Sequence, residues 1–200
     1  MVDRRYAFVR VRRMLRYLKD EQRYLLIAGF FSQIGIEVEK MFERIQMRDL
    51  AAQVFDADSV AGWQHVYYAA INAISAFHAR TNITRDLPME ILLYVSGQDQ
   101  IGKAVQLVGI SDATQRVCLV ILARSETEAT DFQERFQRQF ELTREDSALE
   151  IKDERKLRHL MEVFSVSETE IETETRGGLS REEALRGLII ERGALLVAKR

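Results

Sequence analysis

Read along the chain, the apolar positions fall into a few short continuous runs and several stripes at helical spacing. Val117–Ala123 (VCLVILA) holds seven apolar residues without alternation, the pattern of a strand covered on both faces. Tyr24–Phe31 (YLLIAGFF) is nearly as continuous and reads as a sheet-buried strand, although a buried helix segment fits the same run. Ala51–Phe55 is strand-like and ends in the turn-prone Asp56-Ala57-Asp58. A further short strand is expected near Ala148–Ile151.

The stripes predict helices. Val38, Met41, Phe42 and Ile45 recur at helical spacing. Asp58 is the expected N-cap of a longer helix with Val60, Trp63, Val66, Tyr67, Ala70, Ile71, Ile74 and Phe77 on its core face. The polar break Arg80-Thr81-Asn82 closes it. A second helix begins at Asp86, tolerates Pro88 in its first turn, and turns Leu87, Ile91, Tyr94 and Val95 inward. Ser96, with Asp99 three residues on, then caps a third helix that packs through Ile101, Ala104, Val105 and Val108. Gly109 suits a left-handed stop.

Ser125-Glu126-Thr127-Glu128 repeats the capping box before Ala129, Phe132, Phe136 and Phe140. Leu157, Leu160, Met161 and Phe164 mark another helix. Ser165–Gly178, where Glu168, Glu170, Glu172 and Glu174 alternate with mostly small polar residues, reads as an acidic linker ending in Gly177-Gly178. Ser180 to Glu183 opens a last helix with Ala184, Leu185, Leu188 and Ile189 on one face, and the chain continues into the apolar Ala194–Ala198.

Helices interleaved with a few strands predict a mixed α/β (α+β) fold, a small central mixed sheet of about three to five strands packed with helices. The expected organisation is a basic N-terminal extension (1–22), a core domain (23–166), an acidic linker (167–179), and a C-terminal helix (180–200) packed on the core or on a partner.

Composition narrows the function classes. With 46% hydrophobic and 30% charged residues the chain is globular, and its net charge of −2 predicts no general attraction to nucleic acid or anionic lipid. The positive charge is local: Arg4, Arg5, Arg10, Arg12, Arg13, Arg16 and Lys19 stand against Asp3, Asp20 and Glu21. This segment reads as an amphipathic helix or a solvated tail, with Met14 as an alternative start. The longest apolar runs fall far short of the roughly 20 residues that cross a bilayer. No signal-peptide order is present, and the cytoplasm is the expected compartment. Cys118, the single cysteine, lies in an apolar run and reads as a small buried hydrophobe.

Candidate chemistry is sparse. His65, His78 and His159 have no partner at metal-ligand spacing, and phosphate-cradle, nucleophile-elbow and metalloprotease motifs are missing. Glu90 is a lone acid with no obvious base beside it. No enzyme activity, metal or cofactor is expected, and the chain should work by binding.

One stretch carries more. Asn82–Gly109 (NITRDLPMEILLYVSGQDQIGKAVQLVG), with its Met-Glu-Ile-Leu-Leu and Ser-Gly-Gln-x-Gln-Ile, resembles the small regulatory subunit of the KEOPS complex, the family of the p53-related protein kinase-binding protein. His65 before it, and Val117–Ala123, Leu149-Glu150-Ile151 and Ile190–Leu196 after it, fit the resemblance, which spans roughly residues 24–200. KEOPS installs threonylcarbamoyl on the adenosine beside the anticodon of tRNAs. The resemblance implies a subunit that docks on the amino-terminal lobe of a small atypical kinase and stimulates it, has the catalytic subunit as an indirect partner, and helps capture the 3′ CCA end of tRNA. The contrasting reading is an interaction module that shares the fold and serves another partner.

For RNA, cations and amides that meet phosphates beside apolar surfaces that meet unstacked bases are the groups to seek. These are Arg80, Asn82, Arg85, Gly97, Gln98, Gln100, Ile101 and Lys103, with the N–H groups of Gly97 and Gln98 expected to receive a phosphate. The alternative reading of Asn82 and Gln100 is that they only fix turns or cap helices. Asp99 and the scarcity of cations before Asn82 weaken the electrostatic part. For the kinase, the apolar Ile190, Leu195, Leu196 and Val197 are the candidates, unless they close the chain's own core.

Overall fold

A computed structural model describes residues 14–46 and 50–196. In chain order it begins with β1 (Leu15–Leu18), β2 (Arg23–Phe31), α1 (Val38–Gln46), β3 (Ala51–Asp56) and α2 (Trp63–Ala79). Next come α3 (Leu87–Ser96), α4 (Ile101–Val108), β4 (Arg116–Ala123), α5 (Glu126–Gln139) and β5 (Thr143–Arg144). The chain closes with α6 (Glu154–Val163), α7 (Glu168–Thr175) and α8 (Arg181–Ala194).

The most apolar run takes the middle of the sheet. β4 pairs with β2 on one side and β3 on the other, giving the order β1-β2-β4-β3, with β5 also on β2. β1 pairs with the start of β2 and β5 with its end, through Phe30 and Phe31. The α+β class and the strand number agree with expectation, but every pairing in this sheet is antiparallel rather than mixed.

Alternation along the strands separates two cores. Leu25, Ile27, Phe55, Cys118, Val120 and Leu122 face α2, α3, α4, α6, α7 and α8. Leu26, Ala28, Phe30, Val54, Leu119 and Ile121 face α1 and α5, where Met41, Phe132 and Phe136 wait. The result is three layers with the sheet in the middle. Each large apolar side chain removed from water contributes about 1.5–3 kcal/mol, which is why the least polar strand must be the innermost.

Two glycines mark close approaches. A Cβ on Gly29 in β2 would stand 2.5 Å from Glu145 O, where the chain after β5 folds over the strand and Glu145 N donates to Gly29 O. A Cβ on Gly193 would stand 2.7 Å from Tyr94 O, so α8 lies directly on α3. On the edge strand β3, the Val54 N–H donates to the Gln53 side-chain oxygen (2.9 Å), and the Gln53 amide donates onward to Pro88 O (3.4 Å).

Several local expectations are corrected. Part of the segment expected as an N-terminal extension is strand β1, held by its register on β2 and by Met14 and Leu18 in the core; residues 1–13 lie outside the described residues. The acidic linker is helix α7: Ser167 and Glu170 form a full capping box, and Ile171, hidden among polar neighbours in sequence, is buried. Ala148 belongs to a short 3-10 turn (Asp146–Leu149) and not to a strand. Asp58 lies in a 3-10 turn capped by Asp56, while Gly62 precedes α2. Ser96 ends α3 rather than starting α4, since Gly97 takes the left-handed conformation there. Gly109 is extended.

Candidate interaction site

Glu90 organises the loop between α2 and α3. Fully buried, its carboxylate accepts from Ile83 N (3.1 Å), Thr84 N (2.9 Å) and Thr84 Oγ1 (2.9 Å). Asp86 caps α3 by accepting from Met89 N (3.0 Å). Asn82 donates to Thr84 O (2.9 Å), the turn-fixing role. Arg80, in the left-handed conformation, closes α2 with its backbone N–H. The loop is therefore a braced scaffold that presents Arg80, Arg85 and the half-exposed Ile83 to solvent.

His65 braces the opposite end of the α2–α3 pair. Its Nδ1 accepts from Ala61 N (3.3 Å), its Nε2 donates to Val95 O (2.9 Å), and its ring meets Phe164 edge-on. Burial pushes its pKa down to about 4. Cys118 is likewise buried, and burial pushes its thiol up. Both act as packing groups.

The α3–α4 turn differs from expectation. The N–H groups of Gly97 and Gln98 both reach Leu93 O, and Gln98 N also reaches Ser96 Oγ (3.2 Å). They close α3 and are not offered to a phosphate. What the turn exposes is Gln100, Ile101 and Lys103, with Asp99 beside them. The residues expected to form one RNA site are split between the two ends of α3, whose ten residues span about 15 Å.

The C-terminal end of α8 adjoins one of those ends. A Cβ on Gly97 would lie 3.7 Å from Arg192 O and 3.9 Å from Gly193 N. Leu196 is buried at 1% exposure and closes the core, so it is not part of an open surface. Leu195 beside it is 49% exposed and Ile190 partly buried. Val197 lies outside the described residues.

One feature gave little warning in the sequence. Lys156 is buried on the inner side of α6 and donates to Ala57 O (2.8 Å) and Ala148 O (2.6 Å), joining both 3-10 turns. Burial lowers its pKa to about 8. It floors a cavity of about 530 Å³ whose walls include Asp58, Arg116 and His159. The only clue was its place beside Leu157 and four residues before Leu160. Around the cavity Asp58 pairs with Arg116 (2.7 Å) and Glu150 with Arg186 (3.0 Å), a balanced ionic wall rather than an acid–base site. No group of three metal-ligating side chains occurs among the described residues, and no helix among them is long and apolar enough to cross a membrane.

Comparison with known proteins supplies the family. Over 135 residues, 66% of this chain and 82% of that protein, the chain is 30% identical to the regulatory protein Cgi121 of Methanocaldococcus jannaschii. The model of the kinase-binding protein CGI-121 family matches residues 35–196. That family is regulatory rather than enzymatic, as expected here, and the braced α2–α3 loop, the α3–α4 turn and α8 all fall inside the matched span. The chain belongs to the CGI-121 family of kinase-binding proteins.

Proposed function

We propose that this chain is a non-catalytic subunit that docks on the amino-terminal lobe of a small atypical kinase in a KEOPS-type assembly. The observation that carries the reading is the end of α8. Leu195 stands half-exposed on a turn fixed from behind by buried Leu196 and by the close contact of Gly193 with Tyr94. An apolar side chain on a rigid backing loses little conformational freedom on binding, which is what an interface anchor requires. The kinase should be recovered as a stoichiometric partner of the full chain. Leu195→Asp should lower its affinity at least tenfold while leaving the melting temperature unchanged. Undiminished recovery would leave the interaction-module reading in its place.

The second part of the proposal is recruitment of tRNA at its 3′ CCA end. Its support is the pair of exposed cations Arg80 and Arg85 beside Ile83, with Lys103 beside Ile101 at the other end of α3. Cations beside apolar side chains are the elements that hold single-stranded RNA. Binding to tRNA with and without the CCA tail tests this part, and equal affinity for the two forms removes the capture role while leaving the kinase role intact.

A further inference from the structure

The cavity floored by Lys156 is left unused by the proposed kinase and tRNA-end surfaces. Its volume of about 530 Å³ falls in the range of small-molecule sites, roughly 300–1,000 Å³. It lies where one end of the sheet meets the first turn of α6: Phe31 closes β2, Asp56 closes β3 and Arg116 opens β4. Most of its lining side chains are charged, so charge is the guide to what it holds.

Much of that charge is already neutralised. Asp58 pairs with Arg116 (2.7 Å), Glu145 with Lys152 (3.5 Å), and Glu150 with Arg186 of α8 (3.0 Å). Outside these pairs the lining holds Asp56, Asp153, Arg155 and Lys156, together with His159, which faces Ser59 Oγ at 3.4 Å. Asp56 accepts from Asp58 N (2.9 Å) and Thr114 Oγ1 (2.8 Å), and Asp153 accepts from Lys156 N (2.8 Å). Those donors are neutral and leave both carboxylate charges standing. Arg155 has no ion pair among the described residues. Lys156, 7% exposed, gives two ammonium protons to Ala57 O and Ala148 O, and its third has no acceptor among the described residues.

The four groups converge. Asp153, the N-cap of α6, stands one turn before Lys156, and Lys156 reaches the carbonyl of the residue after Asp56. Two carboxylates and two cations left over together do not suit an ion of one sign, which half of the set would repel. A dipolar ligand is attracted by both halves and supplies the partner that a buried charge requires. An α-amino acid carries its two charges on either side of a single carbon, close enough to be held within one helical turn of about 5.4 Å. We propose that this cavity binds a free α-amino acid, with its carboxylate toward Arg155 and Lys156 and its ammonium toward Asp153 and Asp56.

The test titrates the full chain calorimetrically at pH 7, where Lys156, with a pKa lowered to about 8, is still an ammonium. Each of the common amino acids is offered in turn, and at least one should bind with a Kd of about 1 mM or below. Its N-acetyl and its amide derivatives, each lacking one charge, should bind at least tenfold more weakly. Arg155→Ala should weaken binding at least fivefold. Asp153→Asn should do the same, and it removes the charge while keeping the cap, because asparagine caps a helix as well as aspartate. Both variants should keep the parent melting temperature and kinase recovery, so this site and the kinase surface fail separately. Binding of no amino acid, undiminished affinity for either derivative, or unchanged affinity in either variant overturns the proposal. A tight N-acetyl derivative would make the cavity an anion site instead.

Discussion

Single side chains in this molecule mostly hold backbone in place, and their effects on stability follow from that. The unfolded chain takes up a proton at an ordinary histidine pKa of about 6.5, whereas buried His65 resists protonation until about pH 4. Its contribution is therefore complete above pH 6.5 and falls away as the pH drops from 6.5 towards 4, by about 3 kcal/mol over that window. Urea unfolding at pH 7.5, 5.5 and 4.5 should show this loss. His65→Gln should flatten the dependence while lowering stability at neutral pH. Glu90 offers a second test. Glu90→Gln puts an amide where three donors converge, and should cost about 1–3 kcal/mol with faster hydrogen exchange at Ile83 and Thr84. Leu196→Ala should cost about 2–4 kcal/mol, because it opens a cavity in a closed core. At Leu195, whose side chain is half in water, truncation should barely move the melting temperature.

At the scale of elements, the crossing of α8 over α3 is the contact least tolerant of added bulk. Gly193→Ala forces a methyl toward Tyr94 O and should destabilise by about 1–3 kcal/mol, lowering kinase affinity along with the melting temperature. The contrast with Leu195→Asp, which should affect affinity alone, separates a misplaced helix from a missing anchor. Elements with strong patterns were legible in the sequence: β4 from its unbroken apolar run, α2 from its stripe, and α8 from its capping box. β1 was hidden because Arg16 and Tyr17 sit on an edge strand whose worth comes from pairing with β2, which no local pattern records. α7 was hidden because it buries only Ile171 and draws its support from Arg181 and Arg192, both supplied by α8, on Glu168 and Glu170. The residues expected to face RNA were legible as types but did not come together as a place. Only the structure reveals that Gly97 and Gln98 use their N–H groups on Leu93, and that α3 holds Arg85 and Lys103 apart.

For the whole molecule, the balance of charge matters more than its sum. A net charge of −2 hides a basic N-terminal end and an acidic remainder, so the tRNA binding proposed above should weaken with salt even though the protein as a whole is anionic. The sheet has its own requirement at this scale. Strand β3 borders the sheet, but Ala52, Gln53, Val54 and Phe55 are buried, so its outer amides have to be paired from within the molecule. Gln53 folds its side chain back onto the next amide of its own strand and ties the other end to the start of α3. Gln53→Val should leave the buried Val54 N–H without its acceptor and cost about 1–3 kcal/mol, visible as a lower melting temperature. One glutamine thus finishes the sheet from inside, and β3 ends the array as an inner wall against α3 rather than as an open border.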